Sequence, residues 1–122
     1  MKKIIKLTAS VDGEVICVNP YRFTYFVETA LVRCVYFGRT GVDVEEPLEE
    51  IKKLIDDPKF IEFRKITGKG GRVLINANQI SEWHEQDGGV FIQVFNDRGF
   101  IVEGALEEVT AKIEKALDEG ER

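Results

Sequence analysis

Two stretches of this chain repeat one another without a gap. VRCVYFGRTGVDVEEPLEEIKKLI, residues 32–55, lies over VFIQVFNDRGFIVEGALEEVTAKI, residues 90–113. Val32, Phe37, Gly41, Val44, Glu45, Leu48, Glu49 and Glu50 recur as Val90, Phe95, Gly99, Val102, Glu103, Leu106, Glu107 and Glu108. Upstream, with one residue of slip, VICVNPYRFTYFVE faces RVLINANQISEWHE. Asn19 then meets Asn76, Phe23 meets Ile80, Phe26 meets Trp83 and Glu28 meets Glu85. A repeat limits the fold more than any short motif can, because both copies must build the same elements. One unit of about 57 residues is marginal by surface-to-volume scaling, whereas two units sharing a sheet or helix layer bury far more. We read residues 1–57 as the first copy, 58–118 as the second and 119–122 as a tail, together one domain.

Each copy reads as a β-meander closed by a helix. IIKLTA and EVICV flank Val-Asp-Gly, a hairpin signal with Gly13 available for a positive φ. The aromatic stretch, VRCVYF, a GRTG turn and VDVEE follow. Pro47 suits the first turn of a helix, and the acidic residues beside it complement the helix dipole. Leu48, Ile51, Leu54 and Ile55 then fall on one apolar face, as do Leu106, Val109, Ile113 and Leu117. The fold expected is α+β, with antiparallel sheets, two helices and pseudo-twofold symmetry.

Charge and cysteine content narrow the function classes. The net charge of −5 argues against a general nucleic-acid coat, because phosphate neutralisation needs excess Lys and Arg. No apolar run approaches the ~20 residues of a membrane span. MKKIIKLTAS is too short and interrupted for a signal peptide, so a cytoplasmic protein is expected. Cys17 and Cys34 read as free, buried thiols. The sole histidine, His84, has Glu82 and Glu85 nearby, but no His or Cys cluster completes a metal site. No CxxC, HExxH or nucleophile elbow occurs, and the helix pairs Glu49-Glu50 and Glu107-Glu108 read as solvated. No enzyme, metal or cofactor is expected.

Comparing the copies separates scaffold from additions. Phe23 and Phe26 meet apolar residues and read as core. Tyr21, Arg22 and Tyr25 meet Asn78, Gln79 and Glu82, so the scaffold tolerates polarity there and these side chains need not be buried. Exposed tyrosine beside arginine stacks on flat groups and grips anions. Arg33, opposite Phe91, adds a cation where the other copy is apolar. GRTG and NDRG place Arg39, and Asn96 with Arg98, at hairpin tips, where Gly41 and Gly99 serve turn geometry. Between the copies, KFIEFRKITGKGGR carries Lys59, Arg64, Lys65, Lys69 and Arg72 against Glu62 alone. This stretch reads as a hairpin with solvated lysines, since GKGG lacks the spacing of a phosphate loop.

The order of strand, DGE or GGR turn, VN(P/A), apolar stretch, strand, turn, VxVEE-like strand and LEEVxxKI helix resembles the small FlbD-type proteins. Those are encoded near flagellar genes and in phage-like contexts, and they imply no catalytic residues. The compact, acidic, duplicated chain, with NPYRFTYF, Arg33 and the turn arginines, also resembles phage-encoded Thoeris anti-defence sponge proteins. That second resemblance implies a non-catalytic oligomer that sequesters a small anionic nucleotide signal of the cyclic ADP-ribose type. Its candidate ligand-binding residues are Tyr21, Arg22, Tyr25, Arg33, Arg39, Asn96 and Arg98. The FlbD resemblance implies instead an assembly module, forming homo-oligomers without a ligand. On either reading the partners include no membrane and no nucleic-acid polymer.

Overall fold

The structure is a computed structural model that describes residues 4–66, 70–94 and 98–120. In the first half, β1 (Ile5–Thr8) and β2 (Val15–Val18) form a hairpin. A 3-10 turn (Pro20–Arg22) leads into β3 (Tyr25–Glu28), β4 (Arg33–Phe37), β5 (Thr40–Asp43) and α1 (Leu48–Ile55). The second half runs β6 (Phe60–Arg64), β7 (Arg72–Asn76), a 3-10 turn (Ala77–Gln79), β8 (Ile80–Gln86), β9 (Gly89–Val94), β10 (Arg98–Val102) and α2 (Leu106–Gly120). All strand pairs among the described residues are antiparallel, which gives the expected α+β class.

The same local devices appear in both halves. Asn19 and Asn76 each accept a hydrogen bond from the amide two residues on, from Tyr21 at 3.0 Å and Asn78 at 3.1 Å, and so start the 3-10 turns. The end of β1 bridges the end of β5 at Ala9 and Val44, and β6 bridges β10 at Lys65 and Val102. The contact between the halves follows no twofold operation. β3 pairs with β7, which joins the sheet order β5-β4-β3-β7-β6, whereas among the described residues β2 pairs only with β1 and β8 only with β9. The strand pairing therefore does not establish the duplication or its pseudo-twofold symmetry.

The five-stranded sheet separates two apolar cores. Alternating side chains of a strand point to opposite faces, and both faces are covered here. Phe26, Val35 and Leu74 join Phe23 and the α1 residues Leu48, Ile51 and Ile55 on one side. Tyr25, Val73 and Ile75 join Val109, Ile113 and Ala116 of α2 on the other. This double burial explains why β7 reads as an unbroken VLI run. Each buried Val, Leu, Ile or Phe side chain among them contributes about 1.5–3 kcal/mol.

Several sequence expectations change. Leu54 lies on the exposed side of α1, and Cys17 is exposed while Cys34 is buried. Gly41 and Gly99 are not turn residues; they lie within β5 and β10. A Cβ on Gly41 would meet the Tyr36 ring at 2.7 Å, and one on Gly99 would run into the Phe91 ring. Glycine is needed there because an aromatic ring lies over the strand.

Asn76 does more than its counterpart Asn19. It is buried, its Nδ2 donates to the Phe23 carbonyl at 3.0 Å, and its amide donates to the Thr24 carbonyl at 3.0 Å, fastening β7 to the chain entering β3. Asn76→Ala should therefore destabilise the fold by about 2–3 kcal/mol, and Asn19→Ala by about 1 kcal/mol. Urea unfolding of the two variants checks the order; equal losses would contradict the bridging role.

Candidate functional site

The sequence-derived site residues do not converge. Tyr21 and Arg22 are exposed on the first 3-10 turn, and Arg39 is exposed on the turn after β4. Arg33 begins β4, at its opposite end. Tyr25 is 1% exposed, and its ring stacks on Tyr36 with centroids 4.6 Å apart and meets Phe100 edge-on at 4.8 Å. Its expected exposure is corrected: it is a core residue between the sheet and the α2 side. Asn96 lies outside the described residues. Arg98 opens β10, and its side chain also lies outside them.

A different constellation forms where β3 meets β7. The register places Arg33 of β4 opposite Glu28 of β3, Glu28 opposite Arg72 of β7, and Arg72 opposite Arg64 of β6. Directly opposed residues share a face, so the four side chains form one row across the end of the sheet. Glu28 organises it. Its side chain is 12% exposed, and its carboxylate takes Arg72 Nη2 at 2.5 Å, Arg33 Nε at 3.4 Å and the Leu48 amide at 3.0 Å. That last bond also satisfies a free N–H at the start of α1. Arg72 reaches two further carboxylates with Nη1, Glu49 at 2.5 Å and Glu62 at 3.2 Å. Glu49 and Glu28 push the Arg72 pKa up, and Arg72 holds the Glu49 carboxyl below its usual range.

Two hollows adjoin at Arg64 and Arg72. One, of about 510 Å³, has Arg33, Glu28, Glu49 and Gly71 in its walls. Gly71 has φ +86°, and a Cβ there would strike the Glu28 carbonyl, so glycine lets the backbone entering β7 lie against the end of β3. The other hollow, of about 570 Å³, wraps the β6 edge of the sheet and adds Lys52 from α1 and Lys112 and Lys115 from α2. Its walls carry five cations, Lys52, Arg64, Arg72, Lys112 and Lys115, against Glu62 and Glu103. Lys112 lies over the Phe63 ring at 4.4 Å and donates to the Glu62 carbonyl at 2.7 Å. It thereby blunts an otherwise open strand edge. Burial lowers its pKa.

Arg64 and Arg72 belong to the basic 59–72 stretch, but the helix lysines escaped the sequence reading. The spacing of Lys112 and Lys115, three apart on one helix face, was the available signal. What they face depended on knowing that α2 packs beside β6. No group of His, Cys, Asp or Glu among the described residues could hold a metal ion. No helix there is long and apolar enough to cross a membrane.

No protein-family model and no curated protein matches the chain. Among solved structures, it is similar to the LytTr DNA-binding domain of a methyl-accepting/DNA response regulator from Bacillus cereus. The TM-score is 0.65 at 16% identity, covering 93% of this chain and 98% of that one. At that identity the likeness shows the fold alone. It nevertheless overturns both resemblances drawn from the sequence, since this neighbour is neither an FlbD-type protein nor a Thoeris anti-defence sponge. Sequestration of a cyclic ADP-ribose-like signal, ligand-free homo-oligomeric assembly and the exclusion of nucleic-acid polymers are corrected with them. The scattered placement of the tyrosines and arginines gives a physical reason to drop the nucleotide pocket.

Tyr25→Ala should lose about 3–5 kcal/mol of stability, as expected for a buried aromatic. Tyr21→Ala should cost less than about 1 kcal/mol. Thermal and urea unfolding of both variants test this; a fully stable Tyr25→Ala would return that ring to the list of surface candidates.

Proposed function

We propose that the chain is a non-catalytic DNA-binding domain that grips the phosphate backbone along the β6 edge of its central sheet. The observation carrying this reading is the concentration of charge. In a chain of net charge −5, five cations meet two carboxylates around one hollow, and Arg33 extends the band across the sheet. Arg64 is exposed, stands at the junction of both hollows, and has no ion pair among the described residues. The shared fold with a LytTr DNA-binding domain adds support.

Local charge answers the objection from the acidic total. Charges more than about 8 Å apart are largely screened at physiological ionic strength. A phosphate backbone at the β6 edge therefore responds chiefly to the lysines and arginines beside it. The non-catalytic part of the proposal has its own supports. The Cys34 thiol is buried and its pKa raised by that burial, the opposite of an activated nucleophile. His84 is exposed and shares a hydrogen bond with Gln86 at 3.1 Å. A cytoplasmic location belongs to the same reading.

Fluorescence anisotropy with a labelled mixed-sequence duplex tests the proposal across about 50–200 mM salt. Binding should weaken linearly on a log–log plot. Arg64→Ala should lower affinity and reduce the slope by about 0.9, the loss of one phosphate contact. Arg22→Ala, at the other end of β3, should leave both unchanged. Absence of binding at about 50 mM salt, or binding indifferent to salt, would refute the reading.

A further inference from the structure

Arg72 is surrounded by more negative charge than its own positive charge balances, and its three carboxylate partners are not alike. Glu28 is fastened by Arg33 and the Leu48 amide as well as by Arg72. Glu62 also pairs with Lys52 at 3.4 Å. Glu49 is different. Its side chain is 66% exposed, it rises from the first turn of α1 into the smaller hollow, and its one ion pair among the described residues is with Arg72 Nη1.

A guanidinium presents the same planar fork to carboxylate and to phosphate. Glu28 fixes that fork from the buried side, so Arg72 is already oriented before any ligand arrives. The remaining direction opens on the hollow that Arg33 and Arg64 also line. A phosphodiester lying along this row would need the position that the Glu49 carboxylate takes. We infer that Arg72 is a phosphate seat, filled in the free protein by Glu49 and taken over by a backbone phosphodiester when DNA binds. This rests on the DNA-binding reading above.

The exchange has a consequence for selectivity. A lone phosphate gains little by replacing a carboxylate already in place. A polymer held at several other cations can displace Glu49 at low additional cost. Glu49 would therefore select for extended polyanions over free phosphate.

Anisotropy titrations of the full chain with the same duplex decide the matter. Glu49→Gln and Glu50→Gln remove the same charge from adjacent exposed positions of α1, but only Glu49 pairs with Arg72. Glu49→Gln should tighten binding severalfold more than Glu50→Gln and steepen the salt slope by about 0.9. In an Arg72→Gln background the two substitutions should become equal. Inorganic phosphate, at matched ionic strength, should not compete with the duplex for the unmutated protein. Equal effects of the two glutamate substitutions overturn the seat while leaving DNA binding intact. Effective competition by inorganic phosphate overturns the selectivity for a polymer. Absence of duplex binding by both the unmutated chain and Glu49→Gln overturns the seat together with the reading it rests on. Should Arg72→Gln fail to fold, the comparison of Glu49→Gln with Glu50→Gln decides alone.

Discussion

The pairing of β3 with β7 is the contact on which the rest of the structure depends. It joins two halves that would each be short of core, and it turns two small sheets into one five-stranded sheet with both faces covered. Tyr25, Phe26, Val73, Leu74 and Ile75 are all essentially inaccessible, and they belong alternately to the two cores. Sliding this pair by one residue would exchange the faces and send each apolar side chain to the wrong core. Asn76 guards against such a slip by bonding to both Phe23 and Thr24 at the mouth of β3.

The same register lays out the charges. With Tyr25 opposite Ile75, Glu28 necessarily stands opposite Arg72, and Arg33 and Arg64 fall into line on either side. A carboxylate at Glu28 is what makes the row tolerable, because three arginines brought together without it would repel one another. Its bond to the Leu48 amide ties α1 to the row, which in turn places Lys52 and Glu49 within reach of Arg72 and Glu62. Packing and electrostatics are thus two results of one strand alignment.

Much of the architecture was legible in the sequence. The order of elements, both helices and the burial of Phe23 and Phe26 followed from the repeat and from apolar spacing. Tyr25 was misjudged for a specific reason. Its counterpart Glu82 lies on β8, an edge strand that among the described residues pairs only with β9, whereas β3 is flanked by both β4 and β7. Positions matched by a sequence repeat share an environment only if their strands meet their neighbours alike, and here they do not. Gly41 and Gly99 show another limit: a turn glycine and a glycine under an aromatic ring look identical in sequence. The basic band was half visible. Arg64 and Arg72 sit in a run, but Lys52, Lys112 and Lys115 join them only through the placement of α1 and α2 around β6.

That band also shows how little a net charge says about where charge lies on the surface. A formal total treats every carboxylate as if it stood beside every cation. Here the exposed acids of α2, such as Glu107, Glu108 and Glu114, are carried by the same helix as Lys112 and Lys115, while the β6 edge lies under the lysines. Field at a surface is set by what lies within roughly one screening length of it. An acidic remainder does not cancel a basic edge.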